Sequence, residues 1–150
     1  MSHSVIKMPT DSDLFVGKEH GVEKTYAEED VIAFGKLSKD FNPLHFSEEL
    51  ASKTRFGGKI IHGMLTASLF SGVLSVLTPW CVYISQDINF LASVRIRDTI
   101  KATGIITAID EKGVITVLLE GININQDNKI VIKGLAKVLK LKEIYNPPAK

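Results

Sequence analysis

Hydrophobic positions divide the chain into a helical first half and a strand-rich second half. In the segment AEEDVIAFGKLSK, residues 27–39, apolar side chains recur three or four positions apart, which predicts an amphipathic helix. Thr25 and Glu28 have the spacing of a capping box and predict its start. We expect the helix to end near Lys39, because Pro43 disfavours the helical conformation at the preceding residue.

The most apolar stretch, residues 63–78, is hydrophobic on nearly every side of a helix. Such a helix must be enclosed by other structure, and Pro79 stops it. Its apolar run is shorter than the roughly 20 residues that a membrane span requires. The pattern therefore predicts a buried helix of a soluble domain.

From Trp80 onward, residues rich in Ile, Val and Thr often alternate with polar ones, as they do in β-strands. Four runs show this pattern: CVYISQDINF, TIKATGIITAI, GVITVLLEGINI and KIVIKGLAKVLKL. Turn-forming residues at 110–113 and 125–128 predict two hairpins. Helices followed by strands indicate the α+β class, with an antiparallel sheet that covers the apolar helix.

Composition fits one ordinary globular domain that spans all 150 residues, of which 45% are hydrophobic and 23% charged. The formal net charge of +1 gives no overall preference for nucleic acid or anionic membrane. The single cysteine, Cys81, has apolar neighbours, which favours an inert buried thiol and fits a reducing cytoplasm. The N-terminal residues lack an apolar core of signal-peptide length, so we expect no secretion.

The segment KDFNPLHFS, residues 39–47, has two interpretations. It can be an ordinary turn, because Asp40 and Asn42 are residues whose side chains bond nearby backbone amides. Alternatively, the bend at Pro43 brings Asp40 and His45 onto one water molecule, which they activate as a general base. Asn42 would then orient the water or His45. The residues alone leave both interpretations open.

A second candidate feature is the start of the apolar helix, at His62 and Gly63. The first N–H groups of a helix lack intrahelical partners and lie at the positive end of its dipole. A glycine there allows a ligand oxygen to approach, so Gly63 is either an oxyanion-binding position or a tight turn before a core helix. His62 is better explained as a packed or hydrogen-bonded histidine than as a ligand. Ser71 lies about two turns further on and either bonds its own helix or contacts substrate.

The histidines show no paired spacing typical of metal ligands, so the sequence predicts no metal site. Phosphate-binding and dinucleotide-binding glycine motifs are also absent from the sequence.

The segment LSKDFNPLHFS, followed by HGMLTASLFSG, resembles the MaoC-like, R-specific enoyl-CoA hydratases. The resemblance extends from about Gly17 to Leu141 and is closest to the short single-domain members. It implies a hot-dog fold, in which the sheet wraps around the central helix. It further implies a homodimer, an acyl-CoA thioester substrate, a role in fatty acid metabolism and no cofactor.

The resemblance also implies roles for individual residues. Asp40 and His45 would be the catalytic pair that holds the water, and Asn42 would support them. Gly63 would donate its backbone N–H to the thioester carbonyl. Ser71 matches a serine that these short hydratases place beside the active site.

Three positions outside the catalytic motif depart from the family pattern. Lys39 and Arg97 stand where members have glycine, and Ser93 stands where related chains have proline. The phosphates of CoA would require cations, and the sequence assigns the role to none of the candidates, which are Lys53, Arg55, Lys59, Arg95 and Arg97.

Together these features predict an enzyme, a hydro-lyase that hydrates trans-2-enoyl-CoA to (R)-3-hydroxyacyl-CoA. One alternative is a 3-hydroxyacyl-thioester dehydratase that works in the reverse direction or on acyl carrier protein substrates. A hot-dog thioesterase is a further alternative, as is a non-catalytic acyl-CoA-binding module. The sequence leaves the acyl chain length, the physiological direction and the thioester carrier open.

Overall fold

A computed structural model describes residues 10–141. His3 lies outside this range, and so does most of the N-terminal stretch in which we expect no signal peptide. The helices are α1 (Glu28–Ser38), α2 (Pro43–Phe46), α3 (Glu48–Ala51) and α4 (Gly63–Leu77). The strands are β1 (Glu19–Thr25), β2 (Cys81–Gln86), β3 (Asn89–Phe90), β4 (Thr99–Ile109), β5 (Val114–Asn123) and β6 (Lys129–Lys140). Short 3-10 turns occupy Asp11–Asp13 and Ile124–Gln126.

The strands form one antiparallel sheet in the order β1-β4-β5-β6-β2, and the short β3 also pairs with β6. This confirms the α+β class with an antiparallel sheet. Each of the four predicted runs contains strand, and the two predicted turns connect β4 to β5 and β5 to β6. Strand β1 was not predicted, because its sequence, EHGVEKT, is too polar to suggest a strand.

Helix α4 packs against β4 and β1, and its buried face forms the centre of the hydrophobic core. Val73 and Leu77 lie close to the backbone of Gly104 in β4. A Cβ atom at that glycine would lie 2.9 Å from the Val73 side chain, so the sheet needs glycine there to admit the helix. The core members from α4 are Phe70, Val73, Leu74 and Leu77, and those facing them from the sheet include Ile106, Val117 and Leu119.

The prediction that other structure encloses α4 holds, within one chain, for only one face of the helix. Its opposite face is exposed, and the Met64 and Val76 side chains there are 56% and 54% exposed. Between them lie the exposed small residues Ser68, Ser71, Gly72 and Ser75. Within residues 10–141, no helix has the length and apolar character needed to cross a bilayer.

The predicted capping box at Thr25 is wrong, because β1 extends through that residue. The Thr25 hydroxyl lies 2.7 Å from the Thr99 hydroxyl on the neighbouring strand. Helix α1 instead begins after Ala27, whose N–H donates to the Asp30 carboxylate at 2.8 Å. It ends as predicted at Lys39, which has left-handed backbone geometry with φ 66°.

Candidate active site

The segment between α1 and α2 is an ordered turn held by its own polar side chains. The Asp40 N–H donates to the Ser38 hydroxyl at 3.2 Å, and the Asp40 carboxylate accepts the Asn42 N–H at 3.1 Å. Asn42 caps α2 by accepting the Leu44 N–H at 3.0 Å, with Pro43 at the first helical position. The turn interpretation therefore describes the local structure correctly, and Asn42 fixes the short helix that carries His45.

His45 is half-buried and bonds to the segment that leads into α4. Its Nδ1 atom lies 2.8 Å from the Ile60 carbonyl oxygen. A carbonyl can only accept a hydrogen bond, so Nδ1 carries the proton. In the neutral ring, Nε2 therefore keeps its lone pair and can accept a proton from water.

His62 is buried and connects the two halves of the site. Its Nε2 atom donates to the Asp40 backbone carbonyl at 3.0 Å, and its ring lies against the His45 ring with centroids 4.0 Å apart. Burial lowers the pKa of His62, which favours the neutral ring. Its Nδ1 atom is buried and has no hydrogen-bond partner among the described residues.

The side chains of Asp40, His45 and His62 line a cavity of about 640 Å³ together with the start of α4. Gly63 and Met64 begin that helix, and neither N–H donates to an acceptor within residues 10–141. Both residues line the cavity, so two donors at the positive end of a helix dipole are available to a ligand. A Cβ atom at position 63 would lie 2.8 Å from the exposed Phe90 ring, so in any larger residue that ring or the start of the helix would have to shift.

Ser71 and Cys81, which were singled out from the sequence, lie outside the wall of this cavity, as does Asn42. Ser71 is on the exposed face of α4, and its hydroxyl makes no hydrogen bond to the described part of the chain. Its role beside the active site stays a prediction. Cys81 is half-buried, and burial raises the pKa of its thiol, as expected for an inert cysteine.

The fold also brings together three groups that can ligate a metal. One ligand atom each from Asp40, His45 and His62 lies within 4.8 Å of the others. Sequence spacing did not reveal this set, because its members come from two separate segments. One nitrogen of each imidazole bonds to a main-chain carbonyl, which leaves the other nitrogen free for a proton or for a metal ion.

The arrangement combines the parts needed to move a proton and stabilise negative charge. A carboxylate and an imidazole with a free lone pair line the same cavity as two unpaired backbone donors. The first pair can bind and deprotonate a water molecule. The donors can stabilise an oxyanion.

Comparison with known proteins identifies the family of this chain. Residues 16–122 match the MaoC-like domain family, and the chain belongs to that family. The chain is 37% identical to the (R)-specific enoyl-CoA hydratase of Rhodospirillum rubrum over 130 residues, which cover 85% of this chain and 88% of the relative.

Structural similarity agrees with the sequence match. The (R)-hydratase from A. caviae involved in PHA biosynthesis has a TM-score of 0.79 and 34% identity, covering 85% of this chain and 98% of that one. A mitochondrial 3-hydroxyacyl-[acyl-carrier-protein] dehydratase of Arabidopsis thaliana is 40% identical over 86 residues, covering 57% of this chain and 51% of the relative. The hot-dog fold and the family predicted from the sequence are thus confirmed.

The lowered pKa of His62 predicts that this residue makes stability depend on pH. Below the ordinary histidine pKa the unfolded chain binds a proton that the folded protein does not, so stability falls as the pH decreases. We expect the free energy of unfolding to decrease more in the wild type than in His62→Gln between about pH 7.5 and about pH 5.5. Urea titrations at both pH values measure this free energy of unfolding. The control for loss of a histidine is His20→Gln. Equal pH dependence in wild type and His62→Gln would contradict the prediction.

Proposed function

We propose that the protein is a hydro-lyase that adds water across the 2,3 double bond of a trans-2-enoyl-CoA to give an (R)-3-hydroxyacyl-CoA. The observation that carries the proposal is the position of Asp40 and His45 in one cavity with the free N–H groups of Gly63 and Met64. The (R)-specific hydratases among its relatives support the same reaction and its stereochemistry.

In the proposed mechanism, Asp40 and the Nε2 atom of His45 bind the water molecule, and one of them takes its proton as the oxygen attacks C3. Negative charge moves onto the thioester oxygen, where the N–H of Gly63 stabilises it. The same pair returns a proton to C2, so that one water supplies both atoms added to the double bond. Asn42 holds the turn in place through the cap of α2.

A dehydratase that forms the enoyl product is the reverse of the same reaction, since an enzyme accelerates both directions. Relatives named 3-hydroxyacyl-[acyl-carrier-protein] dehydratases make a carrier-protein substrate the second candidate. Comparison of rates with CoA and carrier-protein thioesters separates these two. A thioesterase would release free CoA from a saturated acyl-CoA, and a non-catalytic module would bind crotonyl-CoA without turnover. We expect the enzyme to act in the cytoplasm, where the half-buried thiol of Cys81 stays reduced.

Loss of either catalytic side chain should abolish most of the activity. We expect Asp40→Asn and His45→Ala to lower kcat with crotonyl-CoA by about 10²- to 10⁴-fold, the usual contribution of a positioned general base. Loss of enoyl absorbance measures the rate. Asp110→Asn is the matched control, because Asp110 lies in the β4–β5 turn outside the cavity wall. If both site variants retain wild-type rates while folded, the mechanism is wrong.

The oxyanion role of the helix start can be tested at Gly63. In Gly63→Ala the new methyl group meets the Phe90 ring, so either the ring or the start of α4 must shift. We expect kcat to fall about tenfold or more, because removal of an oxyanion donor typically costs 10²- to 10³-fold. The double variant Gly63→Ala/Phe90→Ala removes the clash and should recover part of the rate. Unchanged kcat in the single variant would remove Gly63 from the mechanism.

We also propose that two copies of the chain form a homodimer through β2 and the exposed face of α4. Strand β2 is an edge of the sheet, its sequence CVYISQ carries no charge, and its Val82 and Ile84 side chains are 48% and 52% exposed. The opposite edge, β1, contains Glu19, Glu23 and Lys24, which discourage pairing with another strand. A second copy would cover the uncharged edge and the exposed apolar residues of α4.

A charge on the uncharged edge should separate the dimer. We expect wild type to elute as a dimer at micromolar concentration and Ile84→Lys as a monomer, measured by size-exclusion chromatography with light scattering. Leu37→Lys is the control, because Leu37 is 84% exposed on α1, away from β2. A monomeric wild type would overturn the proposal, as would a dimeric Ile84→Lys.

A further inference from the structure

Most of the cations near the proposed site already have partners or lie elsewhere. Lys53 and Lys59 form ion pairs with glutamates at 3.3 Å and 3.1 Å. Arg95 donates from its guanidinium to two main-chain carbonyls, which fixes the loop before α4. Arg97 is exposed and is not part of the cavity wall. None of these four side chains is placed to serve a ligand in the cavity.

Two other cations line the cavity and lack a carboxylate partner. Arg55 follows α3, and Lys129 is the first residue of β6, so they reach the cavity wall from two separate segments. Both are exposed, and neither has a carboxylate oxygen within 4.0 Å among residues 10–141. The Arg55 guanidinium lies over the ring of Phe56, 5.0 Å from its centre, and that ring also lines the cavity.

The cavity wall contains both a carboxylate and cations, which fits a substrate that reacts at one group and carries anionic charge at another. Its one carboxylate among the described residues, Asp40, belongs to the reacting end with His45. The remaining fixed charges in the wall are those of Arg55 and Lys129. In an acyl-CoA, the uncharged pantetheine arm separates the thioester from a pyrophosphate and a 3′-phosphate. A site for this molecule needs a proton acceptor at the thioester and cations at the phosphates.

We propose that Arg55 and Lys129 form the phosphate-binding part of the substrate site and select CoA thioesters by the phosphates of the nucleotide. The inference rests on the proposed function for its thioester substrate. Arg55 has a planar fork of donors that can bind two phosphate oxygens at once, whereas Lys129 supplies a point charge. A carrier-protein thioester carries a single phosphodiester on its pantetheine arm and would gain less from the two cations.

The test compares substrates with and without the nucleotide. For Arg55→Gln and Lys129→Gln, we expect KM for crotonyl-CoA to rise about tenfold each, the equivalent of about 1.4 kcal/mol of lost binding. The kcat should change by less than about twofold, since neither side chain has a part in the proposed chemical step. With crotonyl-pantetheine, which has no phosphate, kcat/KM should decrease far less than with crotonyl-CoA. Lys53→Gln removes an exposed, paired lysine outside the cavity wall and serves as the control.

Calorimetry with free CoA provides a readout that does not depend on catalysis. We expect wild type to bind CoA with an affinity that weakens with salt, and the double variant Arg55→Gln/Lys129→Gln to bind it at least about tenfold more weakly. Unchanged CoA binding and unchanged KM in the double variant would refute the phosphate site while leaving the hydratase proposal intact. Equal losses with crotonyl-CoA and crotonyl-pantetheine would also refute it. Conversely, CoA binding that depends on both cations without hydration of either thioester would refute the hydratase proposal alone.

Discussion

Three hydrogen bonds hold the candidate site together. They join the segment that carries Asp40 and His45 to the segment that enters α4. The Ile60 N–H donates to the Leu44 carbonyl at 3.3 Å, and the Ile60 carbonyl accepts from His45. His62 donates in the opposite direction, to the Asp40 carbonyl. Each bond joins a side chain or backbone group of one segment to the backbone of the other. The turn that carries the proposed general base is therefore fixed relative to the helix start that carries the proposed oxyanion donors.

This cross-linking explains why a histidine lies at the N-cap of α4, although its side chain does not cap the helix. Burial keeps His62 neutral, and the neutral ring still has the one N–H donor that the Asp40 carbonyl requires. A charged ring at this depth would be costly, and it would lie directly against the His45 ring. The residue acts through the position of Asp40 and His45, so we regard it as a positioning residue.

Much of this structure could be predicted from local sequence patterns, because those patterns record local physics. Alternation of β-branched residues located β4, β5 and β6, and the all-apolar pattern of α4 located its ends. Features that depend on distant partners could not be predicted in this way. Strand β1 forms because it pairs with the edge of β4. Thr25 takes part in that pairing, so α1 begins later, after Ala27. Likewise, Lys129 reaches the cavity only through the β5–β6 hairpin.

Two of the three departures that the family resemblance indicated share a backbone feature. Lys39 and Arg97, where the resemblance led us to expect glycine, both have left-handed backbone geometry, with φ 66° and 76°. That geometry suits glycine and strains a residue with a Cβ atom. Both residues nonetheless adopt this geometry, because hydrogen bonds at or next to them hold the backbone in place. Next to Lys39, the Asp40 N–H donates to the Ser38 hydroxyl. The Arg97 N–H donates to the Tyr26 carbonyl at 2.7 Å.

The two faces of α4 connect the fold, the site and the proposed assembly. The buried face organises the core, and the first turn supplies donors to the cavity. The remaining face combines apolar ends with small side chains in the middle, a surface that allows another helix to approach closely. Ser71 is in the middle of that face and outside the cavity wall of its own chain. Its predicted place beside an active site would fit the proposed dimer, in which a second copy covers this face of α4.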